Sequence, residues 1–146
     1  MNKILSKKIF IKNKINTPKY FLLNKSNFCK RNLKKLIKKN KIGYPIVSKP
    51  INEGSSIGVK ICMNFKSLYN HSKTLLKKYD DIINESYIGG QEIQVAIIND
   101  KAIGAIELRP KRKFYDYKAK YLKSAKTEHI MPANLTKKNY NKVLGI

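Results

Sequence analysis

Lys49-Pro50-Ile51-Asn52-Glu53-Gly54-Ser55-Ser56-Ile57-Gly58-Val59 sets a lysine at the end of an apolar strand, then a loop bearing two serines and two glycines before Val59. Glycine lets backbone N–H groups come close to an anion, and serine adds hydroxyl donors. Lys49 supplies a point charge that suits phosphate. No Gly-Lys-Ser/Thr follows, so this is not the P-loop pattern. Taken alone, the stretch reads as a phosphate cradle or as a plain hairpin loop.

Helical and strand patterns alternate on both sides of it. Tyr44 to Ser48 reads as a strand entered through Pro45, and Val59 to Met63 as the next one. Toward the N-terminus, Cys29, Leu33, Leu36 and Ile37 recur at helical spacing, and Asn40 to Gly43 ends that helix. Tyr20 to Leu23 is a short strand, and Ile4, Leu5 and Ile9 suggest a helix that stops before Thr17-Pro18. Toward the C-terminus, Asn64 caps a helix with the face Phe65, Leu68, Tyr69, Leu75, Leu76 and Tyr79. Asp81 to Tyr87 reads as a strand broken by Gly89-Gly90. Gln91 to Ile98 and Ala102 to Leu108 form a hairpin across Asn99-Asp100-Lys101. A polar, aromatic loop runs from Pro110 to about Lys126, and Thr136 caps a last helix. The pattern predicts the middle of a larger α+β unit.

The chain has 146 residues, 42% hydrophobic and 28% charged, which argues against disorder throughout. Apolar runs such as Val95-Ala96-Ile97-Ile98 are too short to span a bilayer. Lys3, Lys7, Lys8, Lys12 and Lys14 break up any secretory apolar region. Cys29 and Cys62 stand at no metal-ligand spacing and fall on apolar faces; they read as core thiols in a reduced, cytoplasmic setting. His71 reads as a surface residue within a helix. His129 has no second ligand near it in sequence.

The net charge is +23. On its own, that points to nucleic acid or an anionic surface. Against it, the only arginines are Arg31, Arg109 and Arg112, and arginine is the better residue for bidentate phosphate and base contacts. Lys, Asn, Ile, Tyr and Phe also share adenine- and thymine-rich codons, so mutational drift is the competing explanation.

Two further stretches carry chemistry. Glu85-Ser86-Tyr87-Ile88 and Gly89-Gly90-Gln91-Glu92 pair a strand-end carboxylate with exposed backbone and a second carboxylate. Adenine needs an acceptor for its amino group and a backbone donor for a ring nitrogen, and a carboxylate suits ribose hydroxyls. Two solvated carboxylates at a turn would look the same. Phe114-Tyr115-Asp116-Tyr117-Lys118-Ala119-Lys120-Tyr121 holds three tyrosines and two lysines. That composition suits a lid over a phosphoryl group, and equally a stacking surface for single-stranded nucleic acid.

In order and spacing, these segments together with Met131-Pro132-Ala133 resemble the D-alanine–D-alanine ligase family. Met1-Asn2-Lys3 resembles the family's internal Met-Asp-Lys segment. The resemblance covers essentially the whole chain and implies a partial ATP-grasp fold: two mixed or antiparallel-sheet subdomains with flanking helices, about 1–89 and 90–146. It implies an enzyme that joins two D-alanines through an acylphosphate, using ATP and magnesium, in peptidoglycan precursor synthesis. Lys3 and Lys49 would contact the ATP phosphates. Ser55 and Ser56 would belong to a mobile loop near phosphates and substrate. Glu85 and the backbone of Ser86, Tyr87 and Ile88 would meet adenine, and Glu92 the ribose. Tyr115 would belong to the lid, Lys120 would bind the γ-phosphate and Tyr121 would position the loop. Fixed cations make sense there, because the transfer brings two anions together, and a lid protects an acylphosphate from water.

The departures are Asn2 for the family's Asp, Ser86 where Lys is frequent, and Lys118 for a usual Glu. The resemblance also implies that a preceding domain and the magnesium ligands lie outside this chain. The expectation is therefore no metal site here and no ligase activity from the 146 residues alone. A homodimer stays open for the intact enzyme, with no membrane and no specific nucleic acid as partners. Another ATP-grasp carboxylate–amine ligase and a basic nucleic-acid-binding module are the competing functions.

Overall fold

The computed structural model describes residues 2–110 and 127–145. They form two compact units, divided after Ile88. Among the described residues no helix is long and apolar enough to cross a membrane.

The first unit is built on a four-stranded sheet. Its strands are β1 (Tyr20–Asn24), β2 (Ile46–Pro50), β3 (Lys60–Cys62) and β4 (Asp81–Ser86), in the order β1-β4-β2-β3. Every pairing is antiparallel. Alternation along the strands makes two unlike faces. On one, Phe21, Leu23, Ile46, Cys62 and Ile82 are buried against Leu33 of helix α2 (Lys30–Lys39) and Leu68 and Leu75 of helix α3 (Phe65–Leu75). This is the core. The other face carries Tyr20, Val47, Lys49 and Glu85, with helix α1 (Lys3–Lys12) over it.

The helices begin where side chains cap them. Asn2 Oδ1 accepts from the Ile4 and Leu5 N–H groups, and Asn64 Oδ1 from Ser67. α2 departs from expectation. Cys29 is not a core thiol but the exposed cap, its Sγ accepting from the Asn32 N–H at 3.3 Å. The apolar spacing places Cys29 one turn before Leu33, whereas the helix starts only after it. Cys62 is buried as expected, and burial pushes its thiol up. A 3-10 turn at Lys25–Asn27, held by reciprocal Asn24 and Asn27 bonds, adds to the elements expected from sequence.

In the second unit, β5 (Glu92–Ile98), β6 (Lys101–Arg109) and β7 (Glu128–Ile130) pair antiparallel in that order. The hairpin turn is Asn99-Asp100, with φ of 46° and 62°, and Lys101 already pairs with Ile98. That is the two-residue, left-handed turn, one residue tighter than the sequence suggests. Helix α4 (Lys137–Leu144), capped by Thr136, packs on β6 through Tyr140, whose hydroxyl accepts from the Ala105 N–H.

Candidate functional site

The site begins with the register of β2 against β4. Val47 stands opposite Glu85, so Lys49, two residues on, reaches Glu85 diagonally on the same face. The Lys49 ammonium is bonded to Glu85 Oε1. On the other side β1 places Tyr20 opposite Glu85.

Helix α1 brings two more cations. Lys3 anchors the helix to the end of β2: its N–H and its ammonium both donate to the Ile51 carbonyl, at 3.2 and 3.1 Å. The same ammonium bonds the Glu53 carbonyl oxygen. Burial, then the charge of Lys49, push Lys3 below its ordinary value, while Glu53 and Glu85 pull it back. Lys7, one helical turn later, ion-pairs with Glu85 Oε2 at 3.0 Å. Lys3, Ser6, Lys7, Phe10, Lys49 and Glu85 line an open pocket of about 340 Å³. A carboxylate held among three ammonium groups leaves a net positive cleft suited to an anionic ligand.

The loop after β2 is shaped by left-handed residues. Ser55 and Ser56 take φ of 47° and 62°, and Gly58 takes 69°. The turn closes through Ile57 N–H to the Gly54 carbonyl at 2.9 Å. Glu53 Oε1 accepts from the Tyr79 hydroxyl at 2.9 Å, which raises the phenol above its ordinary value. His71 is half-buried and not a surface residue: its Nε2 meets the Gly58 carbonyl at 3.0 Å, and burial lowers its basicity. At the end of β4, the Ser86 and Tyr87 N–H groups are taken by the Lys19 and Pro45 carbonyls. The side chains of Tyr87 and Ile88 are exposed.

The structure thus brings Lys3, Lys49 and Glu85 together in the first unit. Ser55 and Ser56 sit on the loop after β2, and Ser86, Tyr87 and Ile88 follow Glu85. Glu92 opens β5 of the second unit. Tyr115, Lys120 and Tyr121 lie outside the described residues. Sequence reading missed Lys7, Tyr79 and, in the second unit, the buried Glu107, which takes two bonds from Arg109 at 2.7 and 3.2 Å. Lys7 carries no local signal beyond its spacing of four from Lys3.

Comparison with known proteins shows the family. Residues 9–146 match the family described as D-ala D-ala ligase C-terminus. The chain belongs to the D-alanine–D-alanine ligase family. Over 147 aligned residues it is 56% identical to the D-alanine–D-alanine ligase of Pelagibacter ubique (strain HTCC1062), covering all of this chain and 47% of that protein. The crystal structure of D-alanine–D-alanine ligase from Bacillus anthracis superposes with a TM-score of 0.78 at 33% identity, over 99% of this chain and 45% of that one. The same ligase complexed with ATP matches with a TM-score of 0.75 at 25% identity, over 99% and 43%. The fold is therefore α+β of the ATP-grasp kind. This chain spans about half the length of the relatives it matches. Among the described residues of this family member, no group of three or more His, Cys, Asp or Glu side chains could hold a metal ion.

Proposed function

We propose that this chain is the ATP-gripping portion of a D-alanine–D-alanine ligase. The single observation that supports the reading most is the convergence of Lys3 and Lys49 on the pocket around Glu85, in a chain of that family. Lys3 and Lys49 meet the ATP phosphates, Glu85 and the segment through Ile88 meet the adenine, and Glu92 meets the ribose. Ser55 and Ser56 close over phosphates and substrate. Tyr115 serves the lid, Lys120 binds the γ-phosphate and Tyr121 positions the loop.

In the intact enzyme, a D-alanine carboxylate oxygen bonds to the γ-phosphorus as the bond to ADP breaks. The amine of a second D-alanine then attacks the acyl carbon, phosphate leaves, and the amine gives up a proton. Fixed ammonium groups screen the repulsion between carboxylate and triphosphate where it is greatest. Magnesium accompanies ATP, with ligands outside the described residues. The product serves peptidoglycan precursor synthesis, and so cell-wall biogenesis and cell shape, in the cytoplasm. Because 1–146 spans about half of its relatives, the 146 residues alone bind nucleotide without making dipeptide.

Calorimetric titration with ATP tests this. Lys49→Ala is expected to weaken binding at least about tenfold, the effect of losing one charge-assisted contact. Absence of ATP binding, or indifference to Lys49→Ala, overturns the reading. Formation of D-alanyl-D-alanine by the pure chain overturns the division of labour proposed here.

A further inference from the structure

Lys7 is the buried residue of α1, and its ammonium is tied to the chain at several points. It donates to Thr17 Oγ1 at 2.7 Å and to the Pro18 carbonyl at 2.9 Å, and stands 3.0 Å from Glu85 Oε2. The Tyr20 ring lies beneath it, 4.9 Å away at the centroid. Two hydrogen bonds, to Thr17 and Pro18, thus fix the ammonium beside Glu85 Oε2, which it meets as an ion pair, and the side chain is 7% exposed. Its place is set by groups of the chain itself. Lys49 differs: its side chain is 20% exposed, and it holds the other oxygen of Glu85 from the rim of the same pocket.

A phosphate entering that pocket competes with Glu85 for Lys49. Were Lys49 its sole partner, Glu85 would be left as a buried carboxylate without a counter-charge each time the ligand arrived, an expensive state. Lys7 prevents this, because its own place is set by Thr17 and Pro18 and not by the ligand. We propose that Lys7 is a positioning residue: it keeps the Glu85 carboxylate aimed at the base while Lys49 turns to phosphate, and so sets the preference for a 6-amino purine over a 6-oxo purine. The inference rests on the reading that Glu85 meets the base. A fixed carboxylate accepts from the adenine amino group and repels the guanine carbonyl, since carboxylate and carbonyl are both acceptors. Without Lys7, Glu85 follows Lys49, and adenine loses its acceptor while guanine loses its repulsion.

The test is calorimetric titration of the 146-residue chain with ATP and with GTP, as wild type, Lys7→Met and Thr17→Val. For Lys7→Met the ratio of ATP to GTP affinity falls about tenfold, ATP weakening as it loses one charge-assisted acceptor and GTP tightening as the repulsion is relieved. Thr17→Val keeps the ammonium but removes one of its ties, and the ratio falls about two- to threefold. Equal weakening of both nucleotides, with the ratio unchanged, makes Lys7 merely structural and overturns the proposal. If circular dichroism shows Lys7→Met unfolded, Thr17→Val decides alone, and an unchanged ratio there overturns it. A wild type that prefers ATP with a ratio indifferent to Lys7 sinks this proposal only. A wild type that binds neither nucleotide sinks the nucleotide-binding reading and this one with it.

Discussion

At Gly58 the backbone turns through φ +69°, and a Cβ there would stand 2.8 Å from Pro50 Cγ and 2.9 Å from Pro50 Cδ. A proline ring is tied to its own backbone and cannot swing aside. Gly58→Ala is therefore expected to destabilise by about 2–4 kcal/mol, from left-handed strain plus overpacking. At Gly54, in the same loop, a Cβ would meet no atom within 4 Å and the φ is not left-handed, so Gly54→Ala stays within about 0.5 kcal/mol. Urea denaturation of the two variants checks the contrast. His71, against the Gly58 carbonyl, brings pH into the same loop. Burial holds it below its ordinary 6.5, so on acidification the unfolded chain takes up this proton before the folded one. Its contribution is complete above about 6.5 and is lost as pH falls toward the lower folded value. The melting temperature should fall over that range, and His71→Gln should flatten the fall. The two glycines look alike in the sequence; only the closeness of Pro50 separates them.

Two helices end in the same way. In α1, Ile15 N–H bonds the Phe10 carbonyl and Lys14 N–H the Ile11 carbonyl; in α2, Ile42 bonds Ile37 and Lys41 bonds Lys38. Both are Schellman ends, whose left-handed residue is ordinarily glycine. Here it is lysine: Lys14 at φ 58° and Lys41 at φ 50°. Lys41→Gly should raise stability by about 1 kcal/mol, read as a higher melting temperature. Gly43, two residues on, is open and needs no positive φ. The element order was legible in the sequence because capping residues and apolar periods are local: Asn64 and Thr136 begin helices where expected. Cys29 misled because cysteine serves both as a small apolar residue and as a cap, and its sequence neighbours do not say which.

For the whole molecule, the +23 charge is spread over both units and assigns no function by itself. Where cations converge is what matters, and that was legible only in part. Lys49 and the ordered motifs placed the chain in its family, since their meaning lies in type and spacing along the backbone. The alternation of helices and strands, the loop after β2 and the turn at Asn99-Asp100 were all carried by local preferences. Tertiary structure alone decided that Lys7 is buried and that Lys3, Lys7 and Lys49 surround Glu85. The reason is register. Glu85 faces α1 because Val47 and Tyr20 stand opposite it, and a slip of one residue would turn it into the apolar core. No pattern within β4 specifies its partners.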